Sequence, residues 1–246
     1  MSGQCIAVVS GKGGTGKTSF TAGVGAALNL SGKRVLCLDC DIGLRNLDLA
    51  LGLTDRALMD FTDVAEGRCP LSRAAVAHPD LPGLFLLTAP MTLSPTLRKE
   101  DFRALLNTAR TYYDYILIDS PAGLGMGFQL STCGADRAIV VATNDATSLR
   151  DAQRTVSELD QIRQVHLIMN RIQPKLLRRL RTAIDDAMDA AGLPLLGVVP
   201  EDPQVMLSAN LGKPLIFSNT RQGASAACTN IAKRLDGQRV PIMKIK

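Results

Sequence analysis

Short, continuously apolar runs recur along the chain, and segments with helical periodicity separate most of them. The runs of strand length cover residues 5–9, 34–38, 84–87, 115–118, 138–142, 165–169 and 195–199. Continuous rather than alternating hydrophobicity indicates strands buried on both faces, and alternation with helices indicates parallel strands joined by right-handed crossovers. The pattern predicts a three-layer α/β fold with helices on both faces of a mostly parallel central sheet.

Composition and length favour one well-buried domain over residues 1–246, because 46% of the residues are hydrophobic and the apolar runs are evenly spaced. None of these runs approaches the roughly 20 residues that span a bilayer. The N-terminus leads directly into the first predicted strand without a signal-peptide pattern. We therefore expect a cytoplasmic protein.

The six cysteines are too few for a disulfide scaffold, so reduced and mostly buried thiols are expected. Cys37 and Cys40 have the spacing of a metal or redox pair. However, side chains three positions apart on a strand point to opposite faces, and the chain contains no second cysteine pair to complete a tetrahedral site. A structural role is therefore favoured for both.

The segment between the first predicted strand and the following helix, predicted over residues 19–30, has the phosphate-loop pattern G-x-x-x-x-G-K-[ST]. It reads Gly11-Lys12-Gly13-Gly14-Thr15-Gly16-Lys17-Thr18. In such loops glycines let backbone N–H groups surround a phosphate, the lysine reaches its oxygens and the hydroxyl can bind Mg²⁺. The sequence therefore predicts a nucleotide site, with Lys12 as an additional lysine inside the loop.

Polar residues follow other predicted strands, and in a parallel sheet these strand ends share one edge with the phosphate loop. Asp39 and Asp41 follow the second strand, two positions apart and so expected to project to the same side. Asp119 follows the fourth strand, in the usual place for a carboxylate that holds Mg²⁺ directly or through water. The turn after it, which ends at Gly123, could sense a γ-phosphate through a backbone N–H, and Asn170 is placed to bind an adenine edge.

The net charge of +5 does not by itself indicate nucleic-acid binding, but one basic cluster stands out. Lys175, Arg178, Arg179 and Arg181 lie on a predicted helix whose apolar face contains Leu176, Leu177, Leu180 and Ile184. This basic face could meet phosphates or anionic lipid, although a solvated surface is favoured because aromatic residues do not interleave with it.

Together these motifs resemble the MinD/ParA family of deviant phosphate-loop ATPases, and its MinD branch in particular, over nearly the full chain. The loop GKGGTGKT resembles that of the family, with Lys12 as the signature lysine. The segment DCDIGLRNLDL at residues 39–49 resembles the first switch, and IDSPAG at 118–123 the second. Asn170-Arg171 resembles the adenine contact, and VVPED at 198–202, with Pro200 and Asp202, the loop that closes over the base.

The resemblance implies a P-loop fold of about eight strands, ATP and Mg²⁺ as cofactors, and an ATP-dependent homodimer. It implies that Lys17 binds the β- and γ-phosphates, that Thr18 and Asp119 hold Mg²⁺ with Asp39 supporting the metal shell, and that Asp41 positions the attacking water. Lys12 would act on the nucleotide of the opposite subunit. Slow, partner-stimulated ATP hydrolysis is expected, with partners of the septum-inhibitor and topological-specificity type.

Family members usually end in a short amphipathic helix that holds the dimer on the membrane. Here the last predicted helix ends near Leu235, and residues 237–246 form a short tail in which Pro241 opposes such a helix. Peripheral attachment to the inner face of the cell membrane is thus not favoured, with Lys244 and Lys246 as weak attractants. Two alternatives remain open: a ParA-like ATPase that binds DNA, and an enzyme of the same loop class that activates a small molecule.

Overall fold

A computed structural model describes residues 2–180, 183–218 and 222–243. Its strands are β1 (Gln4–Val9), β2 (Val35–Asp39), β3 (Val76–Ala77), β4 (Leu84–Leu87), β5 (Tyr115–Asp119), β6 (Arg137–Ala142), β7 (Gln164–Ile172) and β8 (Leu195–Pro200). They form one sheet with the order β3-β4-β2-β5-β1-β6-β7-β8. All neighbours are parallel except β3 and β4.

Helices connect most of the successive strands. They are α1 (Lys17–Leu30), α2 (Leu47–Leu51), α3 (Phe61–Ala65), α4 (Leu71–Ala74), α5 (Lys99–Ala109), α6 (Met126–Thr132), α7 (Ala146–Ser157), α8 (Pro174–Leu180), α9 (Ile184–Ala191), α10 (Pro203–Asn210) and α11 (Gly223–Leu235). A 3₁₀ turn covers Leu215–Phe217. The predicted α/β fold and the predicted end of the last helix near Leu235 are therefore confirmed.

The sheet is buried on both faces, as the apolar runs predicted. Along β1, the side chains of Ile6 and Val8 join a core cluster with α1 and α11, whereas Cys5 and Ala7 point to clusters on the opposite face. The CxxC cysteines also lie on opposite faces of the sheet, since Cys37 belongs to the first of these clusters and Cys40 to a cluster on the other side. Burial raises the pKa of the Cys37 thiol, and all six cysteines are free.

Strand order places the carboxyl end of β1 at a topological switch point. The chain leaves β1 toward β2 on one side of the sheet, and later strands β6, β7 and β8 extend the other side. In open α/β sheets, ligands bind at the crevice that forms where the direction of strand addition reverses. The loop after β1 occupies this position, so the fold predicts a ligand site at residues 10–18.

Two details differ from the sequence predictions. The short antiparallel strand β3 was missed, because two residues carry too little pattern to indicate a strand. The basic helix was predicted to include Ile184, but α8 contains Pro174–Leu180 and the extended Ala183 precedes a separate helix α9. Leu176 and Leu180 are exposed, so the predicted apolar face is only partly buried, through Leu177 and Ile184. Arg181, Lys244 and Lys246 lie outside the described residues.

In the part of the chain that the structure describes, no helix combines the length and apolarity that crossing a bilayer requires.

Buried His78 makes the stability of the protein pH-dependent. Its Nδ1 accepts the Asp80 N–H at 3.1 Å, and burial lowers the pKa of the ring. A group whose pKa is lowered by folding stabilises the fold above its unfolded pKa, near 6.5, and loses that contribution as the pH falls. We therefore expect the difference in free energy of unfolding between the parent protein and His78→Gln to narrow from pH 7 to pH 5. Denaturant titrations at both pH values measure this difference in free energy. A difference that stays constant would contradict the lowered pKa of His78.

Candidate nucleotide-binding site

The loop between β1 and α1 has the backbone conformation that a phosphate loop requires. Gly14 and Gly16 have φ angles of 77° and 88°, in the left-handed region that favours glycine. Gly16 also caps α1, and a Cβ atom at this position would lie 2.3 Å from Asn170 Nδ2. The sequence G-x-G-K is thus dictated both by backbone conformation and by the close approach of β7. The N-terminus of α1 faces the same opening, where its free N–H groups favour an anion.

Lys17 is a buried cation at the base of this loop. Its Nζ donates to Ser10 Oγ at 2.9 Å, and within the described residues it forms no ion pair. Burial lowers the pKa of Lys17, while the charges of Asp119 and Asp41 oppose this shift. A buried ammonium group without a directly bound anion is costly. Phosphate oxygens at the loop would provide the missing partner.

Asp119, at the end of β5, lies beneath the start of α1. Its Oδ2 accepts the Thr18 hydroxyl at 2.6 Å, and its Oδ1 accepts the Thr21 hydroxyl at 3.3 Å. Burial and the neighbouring charge of Asp39 raise the pKa of Asp119 to about 7. A buried carboxylate beside a hydroxyl is a hard-oxygen donor set that suits Mg²⁺, and a cation there would offset the cost of the buried charge. The residues present therefore fit the metal that the sequence predicts.

Asp39 and Asp41 occupy different levels of the site, although both follow β2. Asp39 is buried, and its carboxylate accepts the N–H groups of Asp41 at 2.8 Å and Leu47 at 3.2 Å. Burial raises the pKa of Asp39 to about 6. Asp41 instead lines the cleft above. The two side chains do not share one side because β2 ends at Asp39, and strand alternation stops there. Asp39 thus anchors both ends of the loop that carries Asp41.

Asn170 and Arg171 reach the phosphate loop from an irregular point in β7. The register with β8 shifts between Met169 and Ile172, and Arg171 has a φ of 57°. Asn170 Nδ2 donates to the Thr15 carbonyl at 2.7 Å, and an Arg171 guanidinium nitrogen donates to the Gly14 carbonyl at 3.1 Å. Bulges re-aim side chains in this way. The predicted contact of Asn170 and Arg171 with adenine stays a prediction, and in this structure both residues bind the loop backbone.

One cleft of about 660 Å³ brings most of the predicted residues together. Its walls include Gly13, Gly14, Gly16, Lys17, Thr18, Asp41, Asn170, Arg171, Pro200 and Asp202. Asp39 and Asp119 lie buried beneath it. Ser120 and Ala122 of the second predicted switch also line it, whereas Gly123, with a φ of 83°, lies outside its walls. The cleft joins the phosphate loop to the predicted base loop at residues 200–202.

Lys12 points away from this cleft. Its Nζ lies 3.1 Å from Asp145 Oδ1, and both side chains are about half exposed. Asp145 also caps α7 by accepting the Ser148 N–H at 2.9 Å, and it binds the Thr143 hydroxyl. Lys12 and Thr15 line a second cleft on the outer side of the loop. The two lysines of the loop therefore serve different surfaces, since Lys17 faces the chain's own cleft and Lys12 its outside.

Several residues of the site were missed by sequence reasoning. Ser10 holds Lys17, Thr21 holds Asp119, and Glu201 forms an ion pair with Arg171 at 2.9 Å. Ser10 and Thr21 adjoin the loop motif, so their position was a usable signal. The apolar wall formed by α10 and α11 has no such signal in the sequence, because its residues reach the cleft only through tertiary packing. These residues are Val205, Met206, Ala209, Ala224 and Cys228.

The switch-point position, the left-handed glycines and the buried lysine define a P-loop nucleotide-binding protein. Residues 6–215 match the family model described as the CobQ/CobB/MinD/ParA nucleotide binding domain. A septum site-determining protein MinD from Synechocystis is 38% identical over 98% of this chain and 92% of its own length. The chain belongs to this family, and within it to the MinD group of septum-site-determining ATPases.

Two solved structures agree with this assignment. The MinC:MinD cell division protein complex of Aquifex aeolicus contains a chain that superposes with a TM-score of 0.91 at 36% identity, covering 98% of both chains. MinD of Pyrococcus horikoshii complexed with Mg-ADP superposes with a TM-score of 0.82 at 28% identity, covering 95% of this chain and 96% of that one. The predicted resemblance to the MinD branch is confirmed.

Proposed function

We propose that this protein is an ATP-hydrolysing switch that dimerises around two bound ATP molecules and positions cell-division machinery through partner proteins. The observation that carries this proposal is that the two loop lysines lie on different surfaces. Lys17 is buried in the cleft of its own subunit, whereas Lys12 is held on the outer side of the loop. A cation on the outside can reach only the nucleotide of another subunit without rearranging the loop.

Within one subunit, the cleft supplies the binding functions. Lys17 exchanges its bond to Ser10 Oγ for the β- and γ-phosphate oxygens, and the glycine backbone surrounds them. Thr18 and Asp119 would hold Mg²⁺, which neutralises charge on the phosphate oxygens when bound. The bulged pair Asn170 and Arg171 keeps the loop carbonyls turned outward.

Hydrolysis requires a positioned water and additional positive charge in the transition state. Asp41 lines the cleft at the end of a loop fixed by Asp39, and it is the residue we assign to orienting the attacking water. Burial raises the pKa of Asp41, as suits a residue that accepts a proton. Lys12 from the opposite subunit then stabilises the charge that spreads over the transferred phosphoryl group. Hydrolysis and assembly are coupled because the catalytic lysine arrives only in the dimer.

The comparisons also favour a class of partner. The Aquifex aeolicus relative is a MinD in complex with MinC, so we infer a septum-inhibitor partner of that type for this chain. A topological-specificity partner that stimulates hydrolysis remains part of the proposal. The MinD names of the relatives at 36–38% identity favour this function over the ParA-like and small-molecule alternatives.

The proposal is tested by measuring phosphate release at increasing protein concentration with saturating ATP and Mg²⁺. Because Lys12 acts between subunits, turnover per subunit should rise with concentration and then reach a plateau. Turnover that is independent of concentration and is stimulated by a small metabolite would instead support an enzyme that acts as a monomer. Omitting Mg²⁺ should abolish the activity at every concentration.

The ion pair between Lys12 and Asp145 should restrain dimerisation, because Lys12 must leave Asp145 to reach a second subunit. Asp145→Asn removes the charge and keeps a good helix N-cap for α7. Exposed pairs contribute roughly 0.2–1 kcal/mol each, and a symmetric dimer breaks two of them, so we expect up to about a 30-fold lower protein concentration at half-maximal turnover. The same phosphate-release titration measures this shift.

Asp160→Asn is the matched control for this variant. Asp160 is exposed and lies between α7 and β7, at the edge of the sheet opposite the phosphate loop. It carries the same change of charge, so it should leave the half-maximal concentration unchanged. An equal shift in both variants would indicate a general effect of net charge and would contradict the role of the pair.

A further inference from the structure

Asp202 joins two helices through one carboxylate. Its Oδ1 accepts the N–H of Gln204, in the first turn of α10, at 2.9 Å. Its Oδ2 accepts the N–H of Ala224, in the first turn of α11, at 2.9 Å. The first N–H groups of a helix lack partners within that helix, so a single side chain here satisfies donors of both helices.

Gly223 is the second independent sign of a close fit at this junction. It has a φ of 67°, which favours glycine, and a Cβ atom built there would lie 2.1 Å from Asp202 Oδ2. Any other residue at this position would push the carboxylate away from α11. The approach of Asp202 to the start of α11 therefore depends on two positions far apart in the sequence.

The two clamped helices form the apolar wall of the nucleotide cleft. Val205, Met206 and Ala209 contribute from α10, and Ala224 and Cys228 from α11. These residues give the cleft apolar surface of the kind that a purine base needs. The Asp202 carboxylate bonds to the first turns of both of these helices.

We propose that Asp202 is a positioning residue for the base: it sets the width of the apolar part of the cleft by clamping α10 to α11, instead of contacting the nucleotide itself. This inference rests on the proposed binding of ATP in this cleft. It assigns the phosphate end of the nucleotide to the loop after β1 and the base end to the clamp. Variants that disrupt the clamp should therefore weaken binding of the base and leave binding of the phosphates nearly unchanged.

The test compares the binding of ATP and of inorganic tripolyphosphate, both with Mg²⁺, by isothermal titration calorimetry. Asp202→Asn leaves one acceptor oxygen, so one of the two N–H groups loses its partner. Gly223→Ala keeps the carboxylate and displaces it. We expect each variant to bind ATP about tenfold more weakly, the usual order of effect of a lost hydrogen bond to a charged group. Tripolyphosphate affinity should change less than about twofold, since the phosphate loop is untouched.

Gly237→Ala is the matched control. Gly237 has a φ of 82°, and nothing lies within 4 Å of a Cβ atom built there, so alanine introduces comparable backbone strain without disturbing Asp202. It should bind both ligands as the parent protein does.

Four results would overturn the inference. Weak ATP binding by Asp202→Asn with parent-like binding by Gly223→Ala would show that the carboxylate contacts the base directly. Parent-like ATP binding by both variants would show that the clamp has no role, and equal losses for ATP and tripolyphosphate would show a general loosening. A parent protein that binds neither ligand would overturn the proposed function, and this inference with it.

Discussion

Lys12→Ala should reduce ATP hydrolysis by about three orders of magnitude or more, the effect of removing a cation that acts in trans on phosphoryl transfer. The affinity of the monomer for ATP should stay within about threefold of the parent value, because an exposed lysine outside the cleft adds little to binding there. Lys12 is bound to Asp145, on the outer side of the loop, and does not line the cleft of its own subunit. Single-turnover phosphate release and titration with a fluorescent ATP analogue measure the two quantities separately.

Lys17→Ala should instead weaken ATP binding by about 100-fold or more, because it removes charge-assisted hydrogen bonds to the phosphates. The buried position of Lys17 in the cleft is the reason for the difference from Lys12. Lys213→Ala, at an exposed lysine outside the cleft, should bind ATP as the parent does. Equal losses of ATP affinity in Lys12→Ala and Lys17→Ala would contradict the assignment of Lys17 to the nucleotide of its own subunit and of Lys12 to that of the opposite subunit.

The fold could be predicted from the sequence because parallel strands buried on both faces appear as continuous apolar runs. The seven predicted apolar runs all correspond to strands of the sheet. The difference at α8 also has a physical reason. A run of basic and leucine residues is compatible with one long helix, but Ala183 has extended backbone angles and precedes the separate helix α9. The two-residue strand β3 depends on its pairing with β4, which local pattern does not indicate.

Parts of the site could be predicted where local sequence determines the chemistry of a residue. The phosphate loop and Asp119 were found because their chemistry requires fixed residue types next to a strand end. The backbone contacts of Asp39 and Asp202 could not be predicted, since carboxylates that follow strands can bind either ligands or free backbone N–H groups. Only the structure shows that Asp39 holds the loop of Asp41 and that Asp202 joins α10 to α11.

ATP is expected to assemble two subunits, and Asp41→Ala allows this assembly to be tested without turnover. Removing the residue assigned to the attacking water should slow hydrolysis and preserve the nucleotide complex. The γ-phosphate is the ligand difference between ATP and ADP, so it must favour the closed pair if the switch exists. Lys12→Ala combined with Asp41→Ala provides the matched control, because it lacks the lysine that we assign to the opposite subunit's nucleotide.

Sedimentation velocity of Asp41→Ala with Mg²⁺ and either ATP or ADP is the most direct measurement. We expect a dimer with ATP, a monomer with ADP, and a weakened dimer when Lys12→Ala is added. A protein that stays monomeric with bound ATP at concentrations where the parent hydrolyses it would contradict the account.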